Sequence, residues 1–368
     1  MLKFSKAAGV GPEVLGAEAA LNAMDEAQVS IKDIQALYAG SAFSGGIAQR
    51  LQKMIGQTGI PSASVSNACA TGATAFREAM FNILAGDSEI TLAVGCEVMP
   101  RGLLGGAADN GVSAEGLIGS ASMPAVFAES GQEHAAKYGT TFAQFAKVSV
   151  KNHHHSTFNP KAIYQKETPL EEVMGAEMIA YPNTKLMCSV NVDGAAAAVV
   201  MSEREAKRRG LMNRAVKVRA SALASDAFQR RNPTMWDVNT ATRMAADWAY
   251  EKAGLGPDDV DLVELHDCFA TAELLHYENL RLCGPGEAGR MIDTGETAIG
   301  GRIPVNLSGG LLSKGHPIAA TGIANLYELS CHLRGVAGVR QVPGARIGLA
   351  HVVGLGTVSA VHILEKAN

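Results

Sequence analysis

The chain has 368 residues, a net charge of −4 and a pI near 6.2. Hydrophobic residues make up 47%, charged residues 18%, and glycine fills 40 positions, about 11% against a usual value near 7%. Those values exclude a disordered, collagenous or coiled-coil chain, and the slightly acidic balance argues against a nucleic-acid partner.

Gly11-Pro12 followed by Val14, Ala17, Leu21 and Met24 predicts a helix. Residues 34–39 and 62–66 read as strands. Residues 69–84 read as an Ala-rich helix closed by Gly86, and 90–94 as an apolar strand of the buried parallel kind. From 101 to 184 the composition shifts to Gly, Ser, His and Asn, with a helical piece over 142–151. This segment is expected to be an insertion lying over the core. Residues 195–201 return as a strand, and 203–209 form a charged helix.

The second half repeats the outline. Residues 216–222, 260–265, 345–353 and 358–364 read as strands, and 241–253, 270–282 and 316–333 as helices. The apolar stretch 346–364 carries Arg346, His351 and His362 and alternates like paired strands, so a membrane span is not expected. The two halves look like a degenerate duplication. SNACATGATA (66–75) and SKGHPIAATG (313–322) each lead into an Ala/Gly-rich helix followed by an apolar strand. The expected units are 1–100 plus 185–210, the insertion 101–184, and 211–368.

Six cysteines at 69, 96, 188, 268, 283 and 331 include no CxxC pair. They are expected to be reduced thiols in a reducing compartment. The start, MLKFSKAAGVGPE, lacks the apolar core of a signal peptide, so the expected location is cytoplasmic.

Cys69 stands where a strand enters a helix. A thiol there feels the positive end of the helix dipole, which favours the thiolate; the alternative is a core cysteine. His316, in Gly315-His316-Pro317, occupies the matching point of the second half and is expected near a helix N-cap. The dipole there disfavours imidazolium, and a neutral ring can accept a thiol proton. His266 and Cys268 follow the strand VDLVEL, where open α/β sheets place ligand-binding residues. Glu264, His266 and Cys268 alternate along an extended chain, but no fourth ligand has zinc-like spacing, so no metal is expected. The run His153-His154-His155 reads as solvated surface. Gly354-Leu355-Gly356 has no helix after it, so a dinucleotide fold is not indicated.

Together these residues resemble the thiolase superfamily, most closely its sterol-carrier-protein branch, also called lipid-transfer-protein thiolases. The resemblance rests on NACATG (67–72), VGCEVM (94–99), YGTTFAQFAKVSVKNHHHSTFNPKA (138–162), VDGAAAAVV (192–200), ELHDCF (264–269), NLSGGLLSKGHPIAATG (306–322) and HVVGLG (351–356). It implies two βαβαβαββ halves in a five-layer αβαβα sandwich with an inserted loop domain. It implies reversible Claisen chemistry on acyl-CoA. Cys69 would be the acylated nucleophile, His316 its activator and Cys268 the acid/base. His266 and His316 would form one oxyanion hole, with backbone N–H groups at Cys69 and across Val353, Gly354 and Gly356 forming the second.

The position where most members carry a second cysteine is His351 here. Most members also open with a strand and glycine turn before the equivalent of Lys3-Phe4. This chain begins there, so the first sheet is expected to lack a central strand, or the native start to lie upstream. No bound cofactor is implied; coenzyme A is the cosubstrate, and a homodimer is expected. Two other readings stand beside this one. One is a thiolase-fold aldolase or synthase working with a small accessory subunit; the other is a non-catalytic acyl-CoA-binding subunit.

Overall fold

The computed structural model describes residues 1–7, 9–100, 122–227, 237–354 and 358–367. In the first half, α1 (Pro12–Glu26), β1 (Ala36–Gly40), α2 (Ile47–Ile55), β2 (Ser62–Val65), α3 (Thr71–Leu84) and β3 (Ile90–Glu97) alternate as expected, with α2 added. Proline at the first turn starts α1, where a missing N–H costs nothing.

Helices α4 (Met123–Tyr138), α5 (Phe142–Thr157) and α6 (Leu170–Gly175) and the hairpin β4 (Met178–Ala180) and β5 (Asn183–Thr184) follow before β6 (Gly194–Met201). The second half comprises α7 (Glu203–Arg208), β7 (Val216–Ser225), α8 (Thr240–Ala253), β8 (Leu262–Glu264), α9 (Ala270–Asn279), α10 (Ala288–Asp293), α11 (Thr321–Leu333), β9 (Ile347–Gly354) and β10 (Val358–Lys366).

Two four-stranded sheets carry the fold, ordered β2-β1-β3-β6 and β7-β10-β9-β8. Their pairings correspond one for one. β1 is parallel to β2 and to β3, and β3 is antiparallel to β6. β8 is parallel to a single bridge at Val305 and to β9, and β9 is antiparallel to β10. β7 then lies antiparallel at the far edge of the second sheet. Among the described residues, the matching edge of the first sheet holds the segment around Ser5, which bridges Asp193 just before β6. The expectation of a missing central strand is therefore corrected. The thin place is an edge, because the element that β7 repeats lies outside β6.

The layers follow from the packing. α1 and α2 cover the outer face of the first sheet, and α8 covers the second. Between the sheets, α3 rests on β1 and β3, α11 rests on β9, and the two helices pack on each other. This is the five-layer αβαβα sandwich of the thiolase fold. The central contact depends on absent side chains. A Cβ on Gly72 would fall 2.3 Å from the Ala319 carbonyl oxygen, and one on Gly322 would fall 2.6 Å from the Ala73 nitrogen. The inner core holds Phe76, Leu262, Ile323, Leu326 and Leu329, all buried. The stretch 346–364 is the β9–β10 pair, and among the described residues no helix is long and apolar enough to cross a membrane.

Candidate active site

The end of β2, the end of β8 and the approach to α11 meet where the halves face each other. Cys69 lies in the turn after β2, two residues before α3 begins, so it stands at the helix entrance and not inside the helix. Ala68, just before it, has φ 46°, a left-handed conformation that costs an alanine roughly 1 kcal/mol. Local bonds hold the turn. Asn67 N–H donates to Thr71 Oγ1 at 2.8 Å, Thr71 Oγ1 donates to Ala68 O at 2.6 Å, and Asn67 Nδ2 donates to Thr74 Oγ1 at 2.9 Å. Cys69 itself is half-buried.

His266 and Cys268 leave the carboxyl end of β8 as expected, just before α9. Both are buried. His316 is not at the start of a long helix. A five-residue π-turn, Gly310–Lys314, precedes it, a 3-10 turn spans Ile318–Ala320, and α11 starts only at Thr321. This corrects the expected helix over 316–333. The rings of His266 and His316 lie 5.2 Å apart, nearly edge to face. One ligand-capable atom each from Cys69, His266 and His316 falls within 4.8 Å of the others. Cys268 is close enough that Cys69 raises its thiol pKa. Burial is the larger cause, with Asp267 adding to it, and the thiol is held well above its usual value.

Burial also keeps both histidines neutral, His266 at about 3 and His316 well below the ordinary value, the latter helped by His266 and Lys314. The tautomer of His316 follows from its neighbours. Thr321 Oγ1 donates its single proton to Pro317 O at 3.1 Å. With the hydroxyl proton placed there, the 2.7 Å bond between His316 Nδ1 and Thr321 Oγ1 is assigned as running from the ring N–H to the hydroxyl. The lone pair is left on Nε2.

His351 lies one layer deeper. Its Nδ1 accepts a long 3.5 Å bond from the His266 backbone N–H, and its Nε2 faces Thr242 Oγ1 at 3.2 Å. Val353 and Gly354 close β9 beside the nucleophile turn. A Cβ on Gly354 would lie 2.2 Å from Asn67 O, so only glycine lets the two backbones touch. Gly356 falls outside the described residues.

Sequence reasoning missed what fixes the His316 turn. Asp267 Oδ1 accepts from Leu311 N–H at 2.7 Å, and Oδ2 accepts from Leu312 N–H at 3.3 Å and Asn152 Nδ2 at 2.8 Å. Gly310, at φ 59°, leaves room for that carboxyl; a Cβ there would sit 2.0 Å from Asp267 Oδ2. Buried Lys314 bonds Ser308 Oγ at 2.8 Å and pairs with Glu264 at 3.4 Å. The only sequence signal was a lysine and two acids inside otherwise apolar motifs.

The His153–His155 run is not solvated surface. It lies on α5, with His153 and His155 buried. His155 bonds Asn306 O through Nδ1 at 3.0 Å and accepts from Ile299 N–H at Nε2 at 3.1 Å; His153 meets Ser313 Oγ at 3.2 Å. Only His154 faces outward, on Glu167. The periodicity of α5 turns two of the three rings into a polar core, where hydrogen bonds replace water.

Two paired halves with a thiol and two neutral histidines at their junction define a thiolase-type protein. Residues 3–178 match the thiolase N-terminal domain, and 221–366 match the thiolase C-terminal domain-like family. The chain belongs to the thiolase family. It is 39% identical over 364 residues to sterol carrier protein 2 of Oryctolagus cuniculus, covering 95% of this chain and 66% of that protein. It thus spans just under two thirds of that relative. It is 39% identical to an acetyl-CoA acetyltransferase of Methanothermobacter thermautotrophicus, covering 95% of this chain and 93% of that one. It is 34% identical to a benzoylsuccinyl-CoA thiolase subunit of Thauera aromatica, covering 94% and 90%. A solved Ltp2-ChsH2(DUF35) aldolase superimposes with a TM-score of 0.82 over 100% of this chain and 96% of that one, at 24% identity, which shows the fold alone.

Proposed function

We propose that the protein is an acyl-CoA acyltransferase that cleaves 3-ketoacyl-CoA, or condenses two acyl-CoA molecules, through an acyl group on Cys69. The convergence of Cys69, His266 and His316 within 4.8 Å carries this reading. His316 Nε2, bearing the lone pair, takes the Cys69 proton. The thiolate attacks the 3-keto carbon, and the bond between C2 and C3 breaks. Its electron pair forms an enolate whose oxygen accepts hydrogen bonds from His266 and from His316, which by then carries the proton. Such prearranged donors are worth about 3–4 kcal/mol each at the transition state. Cys268, kept as a thiol by burial, protonates C2. Cys268, left as a thiolate, takes the proton of the incoming coenzyme A thiol; that sulfur attacks the acyl group, and the departing Cys69 thiolate recovers its proton from His316. Backbone N–H groups at Cys69 and over Val353, Gly354 and Gly356 would hold the second oxyanion.

In this reading acyl-CoA and coenzyme A are the partners, no cofactor is bound, and the chain works as a homodimer. A cytoplasmic location agrees with six cysteines that form no disulfide. The test is intact-mass measurement after incubation with acetoacetyl-CoA. The expected result is one added acetyl group, mapped to Cys69 and absent in Cys69→Ala. Wild-type protein that gains no acetyl group, or a Cys69→Ala variant that still cleaves acetoacetyl-CoA, would hand the chain to the partner-dependent or binding readings.

A further inference from the structure

We propose that Cys69, His266 and His316 also form a binding site for a thiophilic divalent cation, zinc(II) foremost, and that the cation and the acyl group compete for Cys69. The site rests on the geometry alone; its regulatory meaning rests on the acyl-transfer reading.

The donor set is one thiol and two imidazoles, the softness and number that suit zinc with a fourth position open. In a tetrahedral site with Zn–S near 2.3 Å and Zn–N near 2.0–2.1 Å, donors lie about 3.3–3.6 Å apart. The 4.8 Å limit means that each pair must close by at most about 1.2–1.5 Å, within the reach of side-chain rotation. Among the described residues this is the only cluster of three such groups.

Two further features favour the site. His316 already donates its Nδ1 proton to Thr321, the outer bond that orients a metal-binding imidazole and leaves Nε2 for the metal. His266 is buried, and among the described residues its Nδ1 has no hydrogen-bond partner, so this ring is less tied than a structural histidine such as His155. On binding, the Cys69 S–H bond breaks, its proton goes to solvent, and the thiolate pair forms the S–Zn bond. Cys268 or a water molecule completes the shell. Calcium and magnesium prefer oxygen, which this set of one sulfur and two nitrogens does not offer.

The experiment is a cobalt(II) titration of the reduced full-length protein, followed by zinc. The expected result is a near-ultraviolet sulfur-to-cobalt band with visible tetrahedral bands, saturating at one equivalent and erased by zinc. The band should vanish in Cys69→Ser and His316→Ala, each checked for native circular dichroism, and after alkylation of Cys69. One equivalent of zinc should slow iodoacetamide alkylation of Cys69 about tenfold or more, reversed by chelation. No band with cobalt in excess, or a band unchanged in Cys69→Ser, overturns the site. A cobalt band in protein that never acquires an acetyl group keeps the metal site and defeats the acyl-transfer reading. Acetylation without a band does the reverse.

Discussion

The two turns that meet at the site are built in opposite ways. The Cys69 turn is held by its own neighbours, with Asn67, Ala68, Thr71 and Thr74 all within eight residues of each other. The His316 turn is held from a distance, by Asp267, Glu264 and, through Asp267, Asn152 of α5. A duplicated fold has thus kept the positions and changed the support. The nucleophile sits on a self-contained elbow. The base sits on a loop that reports on the end of β8 and on the inserted helix. Where a local turn tolerates change elsewhere in the molecule, the histidine turn does not.

The largest expected effect tests the shared junction itself. His316→Ala should slow acetylation of Cys69 by about 10²–10⁴-fold, the usual worth of a positioned base, measured by rapid-quench mass spectrometry. A variant that acetylates at the wild-type rate would separate the two turns chemically.

Next comes the contrast in support. Asp267→Ala removes the acceptor for two buried backbone N–H groups and an amide, at about 1–3 kcal/mol for each donor left unsatisfied. Asn67→Ala in the other turn should cost only about 1 kcal/mol. Urea midpoints and kcat measure both, and kcat should fall with Asp267 more than KM rises. Equal losses at the two positions would erase the distinction between local and distant support.

Thr321→Val removes the acceptor that pins the His316 tautomer. It should slow acetylation about tenfold with KM unchanged, and Thr321→Ser should restore the rate. Failure of serine to rescue would make the threonine a packing residue only.

The smallest effect crosses the halves. His362 of β10 packs edge-on against Phe76 of α3, with ring centroids 5.3 Å apart. Burial, with Arg77 nearby, holds its pKa down at about 4, against an ordinary value of 6.5. The unfolded chain therefore takes up this proton first as pH falls. Its contribution to stability is complete above about 6.5 and is lost progressively as pH drops toward 4, at about 1 kcal/mol per pH unit. Asp267 and Glu97, whose carboxyl pKa values burial raises, push the other way, so the check is a difference. His362→Phe should flatten the stability slope between about pH 6.5 and 5 relative to wild type. An unchanged slope would mean that His362 titrates alike in both states.

Much of this architecture was legible in the sequence. The apolar runs at 90–94 and 195–201 and the Pro12 helix start are local signals, and they appear in the structure as β3, β6 and α1. The NACATG and SKGHP motifs marked Cys69 and His316, which the structure brings to His266, although a π-turn precedes His316 and α11 starts only at Thr321. Three features were not legible, for a common reason. The edge position beyond β6, the buried faces of His153 and His155, and the clamp from Asp267 to residues 311 and 312 all depend on contacts between segments far apart in the chain. A polar run such as KNHHHSTFNPK reads as surface until a second polar surface covers it.

The central claim is that one half supplies the thiol and the other the base that activates it. Its most direct test is the rate of iodoacetamide alkylation at Cys69, read by peptide mapping across pH, in wild type and in His316→Ala. Coupling predicts a fast wild-type reaction near neutral pH and one slowed about tenfold or more in the variant, recovering only as pH approaches the ordinary thiol value of about 8.5. Identical pH profiles for the two proteins would contradict it.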